Sequence, residues 1–361
     1  MRILMTTDPL GGVWQYSLVL AHTLARQLDC RVALICFGQA ATDPALAIPS
    51  ERIELIELPY KLEWMPHSSD DVELALAEVA RLADSWGADV IHSNQYCFGK
   101  LGGSRPTVVV AHSDVLSWHL CHRGSEMKLD LQMEEYRNLL RAGLSGAGTV
   151  VCPSHFVANY MKTIYSADAR VIYNGLPPTL YDASMPKEHQ AAVAGRLWDE
   201  SKLAAVAVQA VEGLPIRLEL AGPTLGPDGE ASFLPSAANA CYLGALSWQD
   251  TRRLFARSRF YLATSSYEPF GLAALEAALS GCVLLAADTP SYREIWGDAA
   301  LFYEPRNPAA LRNALMQLLG NDAGVEKLPQ AARGRALERY TSDRMAREYY
   351  RLYEHLLTGE G

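Results

Sequence analysis

Two doubly wound α/β domains joined by a proline-rich linker are what this sequence predicts, and three observations predict them. Apolar, strand-like runs alternate with helix-period segments along all 361 residues. Most of those runs are continuous rather than alternating, the pattern of strands buried on both faces of a parallel sheet. The alternation also runs through one full set, breaks, and starts again. The break, residues 175–186, carries Pro177, Pro178 and Pro186 among turn-forming residues, the best linker in the chain. Two such domains face each other across a cleft, and ligands of such sheets bind at the carboxyl ends of the strands.

The first set gives strands at Ile3–Thr7, Val32–Phe37, Ile53–Leu58, Val90–Asn94, Val108–His112, Val150–Pro153 and Val171–Tyr173. Helices are expected at Trp14–Leu28, Val72–Trp86 and Met127–Leu144, with Gly11-Gly12 between the first strand and the first helix. The second set gives strands at Ala191–Ala194, Ile216–Ala221, Tyr242–Leu246, Tyr261–Thr264, Val283–Ala286 and Leu301–Tyr303. Its helices are Lys202–Val211, Trp248–Ala256, Leu272–Ser280, Pro308–Leu319 and Arg333–Tyr340. A last amphipathic helix, Ser342–Leu357, has an apolar face that Tyr349, Tyr350, Leu352, Tyr353, Leu356 and Leu357 can supply. The expected domains are residues 1–178, residues 179–341, and a C-terminal helix, 342–361, that returns to the first domain.

Composition narrows the function classes. The chain is 49% apolar and 20% charged, ordinary for a globular protein, and its formal charge is −9. That charge disfavours nucleic acid as a partner. No run of about 18 apolar residues is free of charges and breakers, so no stable membrane insertion is expected. Residues 1–8 read as a strand rather than a leader peptide. Seven scattered cysteines, none in Cys-x-x-Cys or zinc spacing, read as reduced thiols in cytoplasm.

The most informative segment is Ser265–Leu279, which follows a strand and opens a helix. The free N–H groups of a helix start receive phosphate, and the helix dipole favours its charge. Gly271 permits close backbone approach. Glu268 precedes the helix and Glu276 lies eight positions on, in a run of Ala and Leu where a carboxylate needs a partner. Two glutamates alone would read as a helix cap and a solvated side chain.

This segment resembles the Glu-x7-Glu motif of retaining GT-B glycosyltransferases of family four (glycosyltransferase group 1). The likeness extends along nearly the whole chain. It includes Gly11-Gly12 after the first strand, Val110-Ala111-His112-Ser113-Asp114, and Val171-Ile172-Tyr173-Asn174-Gly175. Gly195-Arg196-Leu197 with Lys202, and Leu243-Gly244-Ala245-Leu246, follow in order. The resemblance implies the GT-B fold and transfer of a sugar from a UDP- or GDP-linked donor, with no cofactor and no metal. Arg196 and Lys202 would offset the diphosphate, where charge accumulates as the anomeric C–O bond breaks. Glu268 would hold sugar hydroxyls, and Phe270, Gly271 and Leu272 would lend backbone amides. Glu276 would bind the ribose, Leu243, Gly244 and Leu246 would lie near the base, and Gly195 would sit by the diphosphate. Gly11 and Gly12, otherwise a tight turn between strand and helix, would let their loop approach the diphosphate or the acceptor, and His112 would bond the sugar. A lone His after an apolar strand is ordinarily a satisfied core residue; its match to the family position reverses that reading.

The resemblance also implies front-face displacement with retention. A two-carboxylate glycosidase mechanism would need both glutamates to flank the anomeric carbon, and Glu276 is badly placed for that. For the acceptor, a carbohydrate or other small molecule, the aromatic candidates are Trp14, Tyr16, Trp64 and Trp118, with His119; domain packing is their equal competitor. Leu120–Arg141 mixes both charge signs, which argues against a strong grip on anionic lipid. An epimerase or phosphorolytic enzyme on the same fold, or a non-catalytic nucleotide-sugar binder, is the competing class. A nicotinamide dehydrogenase is disfavoured, because no Gly-x-Gly-x-x-Gly follows the first strand. Donor sugar, linkage and oligomeric state stay open.

Overall fold

Seven strands of the first half lie side by side and all run the same way. They are β1 (Arg2–Thr7), β2 (Arg31–Phe37), β3 (Ile53–Leu58), β4 (Val90–Ser93), β5 (Thr107–Val110), β6 (Thr149–Cys152) and β7 (Arg170–Val171), in the order β3-β2-β1-β4-β5-β6-β7. The computed structural model describes residues 1–9, 11–38, 51–226, 229, 234–320 and 327–359. β1, β4 and β5 are buried almost end to end, as their unbroken apolar runs demand once helices cover both faces. Those helices are α1 (Gly11–Gln27), α2 (Ser69–Trp86), α3 (Val115–Arg123), α4 (Leu131–Gly146) and α5 (His155–Tyr165).

The second half repeats the plan with six strands. β8 (Glu188–Ala194), β9 (Arg217–Ala221), β10 (Ala240–Gly244), β11 (Ser258–Ala263), β12 (Val283–Ala287) and β13 (Leu301–Tyr303) are ordered β10-β9-β8-β11-β12-β13, again all parallel. Around them run α6 (Ala204–Val211), α7 (Trp248–Arg257), α8 (Leu272–Leu279), α9 (Pro290–Trp296), α10 (Pro308–Leu319) and α11 (Lys327–Arg339). Leu218, Leu220, Phe260, Leu262 and Leu285 form the centre of its core. α12 (Ser342–Thr358) closes the described chain. The chain divides into two units, Met1–Gly175 with Ser342–Gly361, and Leu176–Thr341. α12 therefore packs with the first unit: Tyr349 lies edge-on to Tyr16 of α1 at 6.2 Å, and Gln27 donates to Asp343 at 2.7 Å.

The two doubly wound, Rossmann-like sheets and every expected strand are present. The helix expected at Met127–Leu144 begins instead at Leu131, and a separate helix precedes it. Gly124, at φ 73°, ends α3 in the left-handed conformation, and Asp130 then caps α4 by accepting from Met133 N. α5 and α9 were not foreseen. Each starts on a local side-chain cap, Ser154 and Thr289, before a run too short to show clear periodicity.

The segment after β4 is held by glycine. A tight helix, Cys97–Gly103, lies backbone against backbone on α4. A Cβ on Gly143 would stand 1.9 Å from Tyr96 O, and one on Gly99 1.9 Å from Gly143 O. Gly143→Ala should therefore cost about 1–3 kcal/mol or more, the range for overpacking, in urea unfolding.

His92 of β4 is wholly buried between Tyr16, Tyr349 and Tyr353, with Nδ1 2.6 Å from Tyr353 Oη. Burial pushes it from 6.5 down to about 3. The unfolded chain takes up that proton near pH 6.5 and the native one does not, so this contribution holds above pH 6.5 and drains away as pH falls towards 3. Unfolding titrations of His92→Gln should show a shallower loss of stability across that window than the parent.

Candidate active site

In each sheet the strand order reverses once, between β1 and β4 and between β8 and β11. The loops leaving such a pair diverge and open a crevice at the carboxyl ends. In the second unit this place is occupied by residues 195–203 after β8 and 264–271 after β11. The two loops are stitched together: Ser266 N donates to Ser201 O at 2.8 Å, and Thr264 Oγ1 to Lys202 O at 2.6 Å. Leu203, at φ 49°, turns the chain from Lys202 into α6.

That stitching sets the central contact. Lys202 Nζ donates to Glu268 Oε2 at 2.7 Å, both side chains mostly buried, and Ser265 Oγ reaches the same oxygen at 3.3 Å. Two of the three ammonium donors of Lys202 and the other oxygen of Glu268 have no partner among the described residues. Arg196, largely exposed, lies over the Trp198 ring at 5.4 Å and donates to buried Asp199 at 2.9 Å. Both cations thus have a carboxylate partner, with hydrogen-bonding capacity left over on Lys202 and Glu268.

Gly271 adopts φ 89°, and no side chain caps α8 behind it. The first amides of α8 are therefore left without intrahelical acceptors. A Cβ at Gly271 would meet Glu268 Cγ and Tyr292 Cε1, both at 3.3 Å, so glycine also lets Glu268 lie close to the helix start. The Phe270 ring is buried, edge-on to Tyr340 at 5.4 Å, and Leu272 is half-buried in the first turn. Gly195 and Gly244 have φ of 146° and 68° at the ends of β8 and β10; Leu243 and Leu246 flank Gly244 half-buried. Gly195 O sits 1.7 Å from where a Cβ on Gly222 would fall, so the ends of β8 and β9 approach at a distance only glycine permits.

Glu276, one turn into α8, is buried at 4% exposure. The partners its Ala-Leu surroundings required are Tyr181 and Trp248: the phenol donates to Oε1 at 3.1 Å and the indole N–H at 2.6 Å. Burial, with the carboxylate charge next, pushes the Tyr181 phenol well up, keeping it a donor.

In the first unit the corresponding crevice is stitched by Asn94. Its backbone N–H donates to Thr6 Oγ1 at 3.1 Å and its side-chain Nδ2 to Thr6 O at 2.7 Å. His112, half-buried two residues past β5, stands with Nε2 2.8 Å from Asn94 Oδ1 and its ring edge-on to Tyr16 at 4.6 Å. Asp114 holds the loop behind it, accepting from Leu116 N, Ser117 N and Tyr165 Oη. Gly11 and Gly12 are exposed and lie in the first turn of α1 rather than ahead of it, with Gly11 at φ 75°.

Of the aromatic acceptor candidates, Trp14 and Tyr16 are buried at 4% and 2% exposure. α1 is enclosed on nearly every side from Tyr16 to Ala21, so both rings are taken up by packing and present no face to a ligand. Trp64 is exposed; Trp118 and His119 are half-buried on α3, where Trp118 packs against His122 at 5.0 Å. Asn94, Tyr181, Trp248 and Ser265 were not singled out by sequence. Asn94 could have been, since a polar Ser-Asn-Gln run ends an apolar strand. Among the described residues no group of three or more His, Cys, Asp or Glu side chains could hold a metal ion.

Two family profiles match the chain, Glycosyltransferase Family 4 over residues 10–180 and Glycosyl transferases group 1 over residues 188–335. The chain belongs to the GT-B group 1 glycosyltransferases. D-rhamnosyltransferase WbpZ of Pseudomonas aeruginosa is 26% identical over 260 residues, 67% of this chain and 65% of that one. The chain spans from 22% to 65% of the length of such curated relatives. Sucrose-phosphate synthase from Thermosynechococcus elongatus superposes with a TM-score of 0.80 at 18% identity, covering 99% of this chain and 100% of that one. Anabaena HepE in complex with UDP-glucose gives 0.76 at 18% identity, covering 98% and 99%. These likenesses carry the GT-B fold.

Tyr181→Phe and Trp248→Phe each strip one donor from a buried carboxylate. Each should lower stability by about 1–3 kcal/mol in urea unfolding of the ligand-free protein.

Proposed function

We propose that this protein is a retaining, metal-independent glycosyltransferase that moves a sugar from a UDP- or GDP-linked donor to a hydroxyl of a carbohydrate or other small acceptor. The observation that carries the reading is the Lys202–Glu268 contact beside the uncapped start of α8. It sets a cation, a carboxylate and a row of amides at one strand-order reversal, as a diphosphate bonded to a polyhydroxyl ring requires. The family supports transfer as the activity, and the HepE complex supports a nucleotide-sugar as donor.

In this mechanism Lys202, Arg196 and the amides of Phe270, Gly271 and Leu272 bind the diphosphate. Gly195 gives room beside it, as do Gly11 and Gly12. Glu268 holds sugar hydroxyls through its open oxygen, and His112 bonds the sugar. Glu276 takes the ribose, with Leu243, Gly244 and Leu246 near the base. The anomeric C–O bond breaks and its electron pair stays on the diphosphate oxygen, where preplaced positive charge stabilises it. The acceptor oxygen attacks from the same face, and its proton passes to the departing phosphate oxygen. No protein carboxylate becomes a nucleophile. Acceptor binding is assigned to the exposed Trp64 and to Trp118 and His119. Cytoplasm is the proposed compartment; no described helix is long and apolar enough to cross a membrane.

The test is a panel of UDP- and GDP-sugars with sugar acceptors, read by release of nucleoside diphosphate and by product stereochemistry. Glu268→Ala should lower turnover by about 10²–10³-fold or more in a protein that still folds, at a lower melting temperature because Lys202 loses its carboxylate. Full activity in that variant would sink the site assignment. Epimerised donor or free sugar phosphate formed without acceptor would move the protein to the competing enzyme class.

A further inference from the structure

The Asn94 side chain is locked in one orientation. Its Nδ2 donates to Thr6 O at 2.7 Å and to Ser17 Oγ at 3.0 Å, and Ser17 spends its own proton on Val13 O at 2.8 Å. Both amide protons are therefore committed. A flipped amide would set its oxygen against a backbone carbonyl and leave a buried acceptor without a donor. Asn94 is 6% exposed, so water offers no easy substitute. Oδ1 is then an acceptor only, and it faces His112 Nε2 at 2.8 Å.

We propose that Asn94 is a positioning residue that fixes His112 as the Nε2–H tautomer, so that Nδ1 accepts a hydrogen bond from a ligand hydroxyl and rejects carboxylate or phosphate oxygens. An imidazole nitrogen is a donor or an acceptor according to the proton its partner demands. Here Nδ1 has no partner among the described residues, on a half-buried side chain just past the end of β5. The surroundings keep the ring neutral. Tyr16 of α1 faces it edge-on, His92 of β4 lies on the same side, and Tyr349 and Tyr353 of α12 pack behind them without a carboxylate among these groups. Burial pushes His112 down to about 3, the same sense as the geometry. Protonation would convert Nδ1 into a donor and abolish its selectivity.

The assignment of the hydroxyl to the donor sugar rests on the function proposed above; the tautomer does not. The protein labelled with 15N-histidine, with His112 assigned through His112→Gln, reports the tautomer directly by long-range 1H–15N correlation between pH 5.5 and 8. A pyrrole-type Nε2 and a pyridine-type Nδ1 throughout that range are expected. An Nδ1–H tautomer, or an imidazolium signal at pH 6, overturns the proposal whatever the activity. Asn94→Asp supplies a charged acceptor that raises the affinity of His112 for a proton. It should give kcat a new acidic limb, falling about tenfold per pH unit below the raised value, where the parent has none. A folded Asn94→Asp protein in which His112 gains no affinity for a proton and kcat keeps the parent's pH profile removes Asn94 from its role. If that variant does not fold, Ser17→Ala, which frees one amide proton, should leave a mixed tautomer signal; an unchanged one counts against the lock. The expected tautomer in a protein inert towards every nucleotide-sugar would uphold the proposal and defeat the function reading instead.

Discussion

A parallel sheet makes every strand deliver its chain to the same edge, and the rest of this molecule follows from that constraint. Ladder pairing cannot satisfy the polar groups beyond the last residue of each strand, so loop side chains and neighbouring carbonyls must do it. At the strand-order reversals short polar side chains bond backbone carbonyls: Asn94 to Thr6 O, and Thr264 to Lys202 O. The same bonds that satisfy the backbone aim His112 and Lys202. Structure and site chemistry share one set of hydrogen bonds.

Much of the fold was legible because a strand buried on both faces has to be written as an unbroken apolar run. Val108-Val109-Val110 and Val283–Ala287 can hardly be written otherwise. Helices were less legible where a cap rather than a face defines them. The helix expected from Met127 overran the true start of α4, which the Asp130 cap sets rather than any apolar face. At the site, Glu276 declared itself as a carboxylate among Ala and Leu, whereas Glu268, Arg196 and Lys202 stood out through the family resemblance. Their supports did not. Tyr181 and Trp248 stand far from Glu276 in sequence, and nothing in either residue alone marks a carboxylate partner. The burial of Trp14 and Tyr16 was equally hidden, since aromatic rings suit a core and a sugar platform alike.

The electrostatics reconcile an acidic chain with an anionic ligand. The formal charge of −9 describes the whole surface, whereas the crevice of the second unit carries its own balance. Lys202 and Arg196 are already matched by Glu268 and Asp199, so their cationic heads are held in place before any ligand arrives. Preorganised charge avoids reorganisation during reaction. The helix start adds partial positive charge that no acidic side chain caps.

The attachment of α12 to the first unit also bears on how the protein is made. Tyr349 and Tyr353 fill the space beside Tyr16 and His92, yet more than 150 residues separate β7 from α12 in the chain. During synthesis the first sheet must wait, with one apolar flank open, until the whole second unit has emerged. The second unit, continuous from Leu176 to Thr341, can close on itself sooner. The order of completion on the ribosome is then the reverse of the order of synthesis, and a chaperone would find its exposed surface on the half that was made first.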